Sequence, residues 1–227
     1  METTSTYSKI RSAYVKLIYA NHNNSSSVKK ALMKVLGEIK EGDIGLNVGA
    51  GTTKLHPQIK NLDIFPGKNI DYIGKAEAIP VDDNVFKIVI SQETLEHVQD
   101  PFKAVAEVFR VLRPNGLFYC QLPFIIGYHP GPTDYWRFTK EGIRELLEKQ
   151  GFVCEEIGIS VGGATGFYRI FIEFLSVLLS TPFPFLYHFF KAIFSLILFP
   201  IKWLDFIMSF SQQKDRIAGG YYIIARK

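Results

Sequence analysis

From Ile44 onward, short apolar runs alternate with longer amphipathic stretches. The runs at 44–48, 60–64, 70–73, 86–90, 117–122, 152–159 and 220–225 have the length and branched content of buried strands. Segments 101–112 and 139–150 carry the three-to-four-residue apolar spacing of helices, and 52–58 is a weaker helical candidate. Thr139 is placed to cap the helix it precedes, and Gly151 to end it. Before the alternation starts, 5–20 and 26–40 read as two helices joined by the polar turn 21–27. Strand and helix in alternation predict an α/β fold with a doubly wound parallel sheet. The predicted organisation is a helical extension over 1–40 and one domain over 41–227.

One stretch breaks this rhythm. Residues 167–210 are dense in Phe, Leu and Ile, are divided by Pro182, Pro184 and Pro200, and interrupt the path to the last strand. The predicted insertion runs over 164–215. A spanning helix needs about 20 apolar residues. Lys191 and Lys202 enclose only ten residues, and Glu173 and Lys191 enclose seventeen that include two prolines, so two clean spans are not expected. His188, Lys191, Ser195, Lys202, Asp205 and Ser209 recur at helical spacing as one narrow polar stripe on an otherwise apolar surface. That pattern predicts an amphipathic helix lying in a membrane surface, or a shallow re-entrant hairpin. A helical cap packed on the domain or on a second copy of the chain, and a true spanning hairpin, are the alternatives.

The chain has 227 residues and a net charge of +4. Charge changes the picture only at the start, where residues 1–40 hold seven basic side chains against two acids. Solvated helix faces explain this, as does an anionic membrane surface or a phosphate-bearing substrate. No basic-aromatic module follows, so nucleic acid is not an expected partner. Cys120 and Cys154 are the only cysteines. They form neither a disulfide framework nor a metal cluster and suit a reducing cytoplasm. The polar start of the chain shows no secretory signal. The expected location is cytoplasmic, at the inner face of a membrane.

Candidate chemistry concentrates at the end of the first strand. Asn47-Val48-Gly49-Ala50-Gly51 makes a glycine-rich turn, and Asp63 stands at the tip of the next strand. Glycines admit close backbone approach to a ligand, and an acid so placed accepts hydrogen bonds from ribose hydroxyls; together they form a nucleoside-binding pattern. A second concentration, Tyr128-His129-Pro130-Gly131-Pro132-Thr133-Asp134-Tyr135-Trp136-Arg137-Phe138-Thr139, follows the fifth strand. His129 and Asp134 are its candidate general bases, while Tyr128, Tyr135 and Arg137, with Glu93, are candidates to recognise a hydroxylated or anionic substrate. Packing the loop down is the competing role for Trp136, Arg137 and Phe138. Glu96 and His97 have no third ligand at suitable spacing, so no metal site is expected.

Five motifs occur in order: 46–51, Asn61-Leu62-Asp63, the Ala76-Glu77 segment to Phe86, Ile90-Ser91-Gln92-Glu93-Thr94-Leu95-Glu96-His97-Val98, and Arg110-Val111-Leu112-Arg113-Pro114-Asn115-Gly116. Together they resemble the class I S-adenosylmethionine-dependent methyltransferases, in particular the type 11 methyltransferase-domain family. The loop at 128–139 resembles an element of a subgroup associated with surface-glycan assembly. The resemblance implies a Rossmann-like seven-stranded sheet and S-adenosyl-L-methionine as cofactor. It implies that Asn47, Gly49, Ala50 and Gly51 pass under the methionine part, and that Asp63 binds the ribose. Ala76 and Glu77 would flank the adenine, and Ser91 and Gln92 would face the methionine end. Glu96 and His97 would serve structure beside the cofactor. Lys75 stands where the family often has an acid before the Ala-Glu pair, which removes one adenine contact. The implied activity is methyl transfer to an oxygen of a lipid-linked or amphiphilic acceptor, glycans included. Methylation of a lipid head group or quinone-like ring is an alternative, and so is a non-catalytic scaffold of the same fold. Expected partners are the acceptor and an anionic membrane surface met through 167–210, with a homo-oligomer also open.

Overall fold

The computed structural model describes residues 25–227. The helix expected at 5–20, with Lys9, Arg11 and Lys16, lies outside these residues. Among the described residues, seven strands form where the apolar runs fall: β1 (Gly45–Val48), β2 (Ile59–Asp63), β3 (Tyr72–Ile73), β4 (Phe86–Gln92), β5 (Leu112–Pro123), β6 (Val153–Val161) and β7 (Gly220–Arg226). They make one sheet in the order β3-β2-β1-β4-β5-β7-β6. The first five strands of this row run parallel, and β7 enters antiparallel between β5 and β6. The chain winds outward from β1 through β2 to β3, then returns to place β4 on the other side of β1. That reversal opens a crevice beyond the carboxyl ends of β1 and β4, where such sheets bind ligands.

Both faces are covered. On one, Val105 and Val108 of α2 (Pro101–Val111) and Ile143 and Leu146 of α3 (Lys140–Glu148) pack on Val89, Phe118 and Ile223. On the other, Val28, Ala31 and Val35 of α1 (Ser26–Leu36) pack on Ile88, Tyr119 and Ile224. Strands buried on both faces explain why the runs are continuously apolar rather than alternating. Local signals set the helix starts: Ser25 Oγ accepts from the Val28 N–H, Asp100 from Lys103, and Thr139 from Gly142. The helix expected over 26–40 ends at Leu36, where Gly37 sends its N–H back to the Met33 carbonyl.

No helix forms at 52–58. Pro57 disfavours a helical His56 before it, and the Thr53 carbonyl is taken by the Asn61 side chain at 2.9 Å instead of by a helical N–H.

The insertion folds as α4 (Gly163–Ser180), α5 (Tyr187–Ile197) and the short α6 (Leu204–Met208), joined by 3-10 turns. By length and composition α4 suffices to cross a membrane, and the segments 184–197 and 199–208 meet at a 47° bend. The bend breaks the expected polar stripe, whose middle turns inward on α4. The Ser195 carbonyl accepts from Tyr168 Oη at 2.7 Å, Lys191 pairs with Glu173, and Asp205 accepts from the Ala164 and Thr165 N–H groups at 2.7 and 3.1 Å. Lys202 Nζ lies 5.5 Å from the centre of the Tyr168 ring. His188 and Ser209 stay exposed. The outward face is apolar: Phe185, Trp203, Phe206 and Phe210 are each about 70% exposed or more.

Candidate active site

The turn after β1 is built by backbone bonds to its neighbour strand. Gly49 and Ala50 N–H both reach the Leu62 carbonyl, at 3.0 and 3.1 Å. Gly49 has φ +68°, and a Cβ there would stand 2.3 Å from Thr94 Oγ1. Thr94 holds that place because its hydroxyl donates to the Val48 carbonyl at 3.1 Å. Gly51 has φ +54°, and a Cβ there would meet no protein atom within 4 Å. Asp63 closes the turn: its carboxylate accepts from the Gly51 N–H at 2.8 Å and the Phe65 N–H at 3.0 Å.

These residues line a cavity of about 570 Å³ at the carboxyl edge of the sheet. Gly49, Gly51, Asp63, Ala76 and Glu77 are in its wall, as the motifs imply, and so is Lys75. Glu77 Oε1 accepts from the Gln99 N–H at 3.2 Å, which joins the two sides of that end. Glu93, Thr94, His97, Gln99, Thr133 and Tyr135 form the rest of the polar wall. The residues fit a nucleoside cofactor. A strand-end carboxylate with a spare lone pair on each oxygen faces a glycine turn with room above it, and the volume is that of an ordinary cofactor site.

Four of the implied cofactor residues lie outside this wall. Asn47, Ala50, Ser91 and Gln92 do not line the cavity. Asn47, Ser91 and Gln92 are strand residues, whose side chains point above and below the sheet, whereas the cavity lies beyond its edge. Asn47 Nδ2 therefore donates to Asn61 Oδ1 at 3.3 Å, Gln92 Nε2 to Gln121 Oε1 at 3.4 Å, and Ser91 is buried. Glu93 is the first residue past β4 and turns into the cavity with φ +53°. Burial, reinforced by the charge of Glu96 and opposed by the Gln121 hydrogen bond at 2.9 Å, raises its carboxyl to about 7.

The loop after β5 lies over the cavity and is pinned to the 3-10 turn Leu95–His97. Tyr135 N–H donates to the Glu96 carbonyl at 2.8 Å, Trp136 Nε1 to the Val98 carbonyl at 3.0 Å, and His97 Nδ1 meets the Thr133 carbonyl. Asp134 is not poised as a base. Arg137 grips both its oxygens at 2.5 Å, the His129 N–H donates to it at 2.9 Å, and its side chain is 1% exposed. Burial alone would raise its pKa, but Arg137 and the His129 N–H outweigh that and bring it down to about 2, a carboxylate too weakly basic to take a proton. Arg137 also donates to the Gly127 and Trp136 carbonyls. It buckles the loop and lines neither the cofactor cavity nor its neighbour. Tyr135 lines the cofactor cavity, while Tyr128 and His129 line a second one of about 310 Å³ between this loop and the insertion, together with Tyr168, Arg169, Glu173 and Lys191. His129 also supplies the third donor that sequence spacing does not offer to Glu96 and His97: its Nε2 lies 3.7 Å from Glu96 Oε1. Thr94 as a cavity residue has no sequence signal of its own; chain reversal after β4 places it, together with His97.

Comparison with known proteins agrees with this geometry. Residues 43–120 match the sequence profile of a family described as a methyltransferase domain. A Mycolicibacterium smegmatis protein named as a probable S-adenosylmethionine-dependent methyltransferase is 33% identical over 98 residues, 40% of this chain and 38% of the relative. The ubiquinone/menaquinone biosynthesis C-methyltransferase of Pseudoalteromonas translucida is 37% identical over 82 residues, 35% of this chain and 30% of the relative. The chain thus spans less than two fifths of these relatives' length. Among solved structures, phosphoethanolamine N-methyltransferase 2 of Haemonchus contortus superposes with a TM-score of 0.54 at 16% identity, covering 99% of this chain and 58% of that one. The 1,6-didemethyltoxoflavin-N1-methyltransferase of Burkholderia thailandensis gives 0.51 at 12%, covering 100% and 92%. Residues 43–120 thus resemble a methyltransferase domain in sequence, and the chain shares the fold of these methyltransferase structures.

Proposed function

We propose that the protein works at the inner face of a membrane and transfers a methyl group from S-adenosylmethionine to an oxygen of a lipid-linked or otherwise amphiphilic acceptor, glycans included. The observation that carries this reading is the inside-out polarity of the insertion. Lys191, Ser195 and Asp205 in the middle of its polar stripe are turned toward α4, while Phe185, Trp203, Phe206 and Phe210 face outward. Contiguous exposed apolar surface of this kind marks an interaction site. A helix pair with its aromatic face outward suits the boundary between headgroups and acyl chains. An acceptor anchored there reaches the second cavity first, whose wall holds Arg169 and the Lys191–Glu173 pair.

When bound, S-adenosylmethionine supplies an activated methyl on a sulfonium. The chain's own work is then positioning and exclusion of water. Asp63 holds the ribose, the glycine turn leaves room beneath the amino-acid end, and the loop from Tyr128 to Thr139 covers the cleft. Glu93 takes the hydroxyl proton, because its carboxyl titrates near neutrality and it stands in the cavity wall. In this reading Glu93 replaces Asp134 as the base.

Two experiments test the proposal. Calorimetric titration with S-adenosylmethionine and S-adenosylhomocysteine is expected to give micromolar binding. No binding at millimolar ligand would favour the non-catalytic scaffold. In flotation with phosphatidylglycerol-containing vesicles the protein is expected to rise with the lipid, and Trp203→Ser/Phe206→Ser/Phe210→Ser is expected to stay below while binding cofactor as before. Wild-type protein that remains unbound would end the membrane reading. Methylation of a lipid head group or quinone-like ring is the second reading, favoured by the likeness to the C-methyltransferase of quinone biosynthesis.

A further inference from the structure

Glu96 is the most anomalous side chain among the described residues. It is fully buried, and neither carboxylate oxygen has a hydrogen-bond partner. A buried carboxylate left without donors is strongly disfavoured unless a cation compensates it. Two imidazoles stand beside it. His97 Nε2 is 3.6 Å and His129 Nε2 is 3.7 Å from the same oxygen, Oε1. The three donor atoms lie within 4.8 Å of one another.

These distances are too long for hydrogen bonds. They are close to the ~3.4 Å edge of a tetrahedron with bonds of ~2.1 Å, the length of zinc–nitrogen and zinc–oxygen contacts. The other ring nitrogens fix the tautomers. His97 Nδ1 meets the Thr133 carbonyl, and His129 Nδ1 lies 3.1 Å from the Gly127 carbonyl. A carbonyl only accepts, so both Nδ1 atoms carry the proton. Arg137 Nη2, also 3.2 Å from His129 Nδ1, has its two hydrogens directed to Asp134 Oδ2 and the Gly127 carbonyl. Each Nε2 is thus the ring atom that faces Glu96, and in the neutral ring it presents a lone pair there. Ring N–H groups bonded to backbone carbonyls, with the opposite nitrogens converging on a carboxylate, form the outer shell that metal-binding histidines use.

We propose that Glu96, His97 and His129 form a binding site for one divalent transition-metal ion of the zinc class. Two neutral imidazoles and one carboxylate suit zinc, cobalt, manganese or iron, and three protein ligands leave a coordination position open. The ion bridges the two cavities, since His97 lines the cofactor cavity and His129 the second one. Under the methyl-transfer reading, on which this one consequence rests, the open position holds the acceptor oxygen and favours its deprotonated form. Metal binding itself does not depend on that reading.

The test uses untagged full-length protein, stripped with a chelator and titrated with Co²⁺ alone while visible ligand-field bands are followed, then with Zn²⁺ by calorimetry. One equivalent of each is expected to bind, with Zn²⁺ displacing Co²⁺. His129→Ala, in the partly exposed loop, and His97→Ala are each expected to weaken binding by about 100-fold or more, as loss of one of three ligands demands. His188→Ala, which changes an exposed histidine of the insertion, is expected to leave it unchanged. S-adenosylhomocysteine titration of every variant reports whether the domain is folded, and so separates failure of the metal site from failure of the cofactor site. No binding of either ion at millimolar concentration, or binding by His129→Ala and His97→Ala as tight as by the unsubstituted protein, overturns the proposal.

Discussion

Replacing Gly49 by alanine tests the packing behind the cofactor turn. The new methyl would stand 2.3 Å from Thr94 Oγ1, 2.4 Å from its Cγ2 and 2.9 Å from its Cβ, on a backbone with φ +68°. Thr94 cannot rotate away freely, because its hydroxyl is bonded to the Val48 carbonyl at 3.1 Å. Three contributions add: about 1–2 kcal/mol for an alanine in the left-handed region, about 1–3 kcal/mol for overpacking and about 1 kcal/mol for the displaced hydrogen bond. Destabilisation of about 3–6 kcal/mol follows, which at about 2–4 °C per kcal/mol for a domain of this size lowers Tm by about 6–24 °C. Thr94→Ala removes Oγ1 and Cγ2 and leaves only the Cβ contact, so Gly49→Ala/Thr94→Ala is expected to recover about 1–2 kcal/mol relative to the sum of the single changes. Urea unfolding of the four proteins measures that coupling. Additivity within about 0.5 kcal/mol, the level expected of independent sites, would refute the argument that Thr94 is what excludes a side chain at Gly49.

Asp63→Asn keeps the shape of the side chain but can no longer accept from both the Gly51 and Phe65 N–H groups and the ribose. S-adenosylhomocysteine affinity is expected to fall about 10-fold or more, at about 1.5–3 kcal/mol for a hydrogen bond to a charged group, and unchanged calorimetry would place the ribose elsewhere. Because the Glu93 carboxyl is raised to about 7, it is mostly neutral below that pH and anionic above it. The preference for the cationic S-adenosylmethionine over neutral S-adenosylhomocysteine is therefore expected to grow several-fold from about pH 6 to pH 8, and a ratio equally steep in Glu93→Gln would remove Glu93 from the site. Arg110 bonds Glu107 and lowers its carboxyl below the ordinary 4.5, more than burial raises it. This contribution to stability is complete above pH 4.5 and is lost as pH falls through the depressed folded value, so Glu107→Gln is expected to flatten the acid limb of a Tm-against-pH curve. Asp205→Ala removes the acceptor for the Ala164 and Thr165 N–H groups and is expected to expose α6 to proteolysis while cofactor affinity holds, the cap contributing about 1–2 kcal/mol.

The strand runs, the cofactor turn and its acid were legible in the sequence, whereas the antiparallel entry of β7 between β5 and β6 was not. Strand runs, glycines and Asp63 act through backbone geometry and near neighbours in the chain, so their pattern survives in one dimension. The sequence did not determine the segment after the turn, where Pro57 and the Asn61 side chain remove a helix, nor the wall of the cavity. Asn47, Ser91 and Gln92 belong to the right motifs but point along the sheet normal, while Glu93, one residue further, turns into the cleft. Asp134 reads as a base until the fold brings Arg137 onto both its oxygens. The polar stripe of the insertion reads as one face of an amphipathic helix, but the chain bends at 198 and Lys191 and Asp205 contact α4. His129, more than thirty residues after Glu96, reaches it only because the loop folds back across the 3-10 turn. Each of these depends on contacts between distant segments, and a side chain's chemistry is set by the partners that such contacts supply.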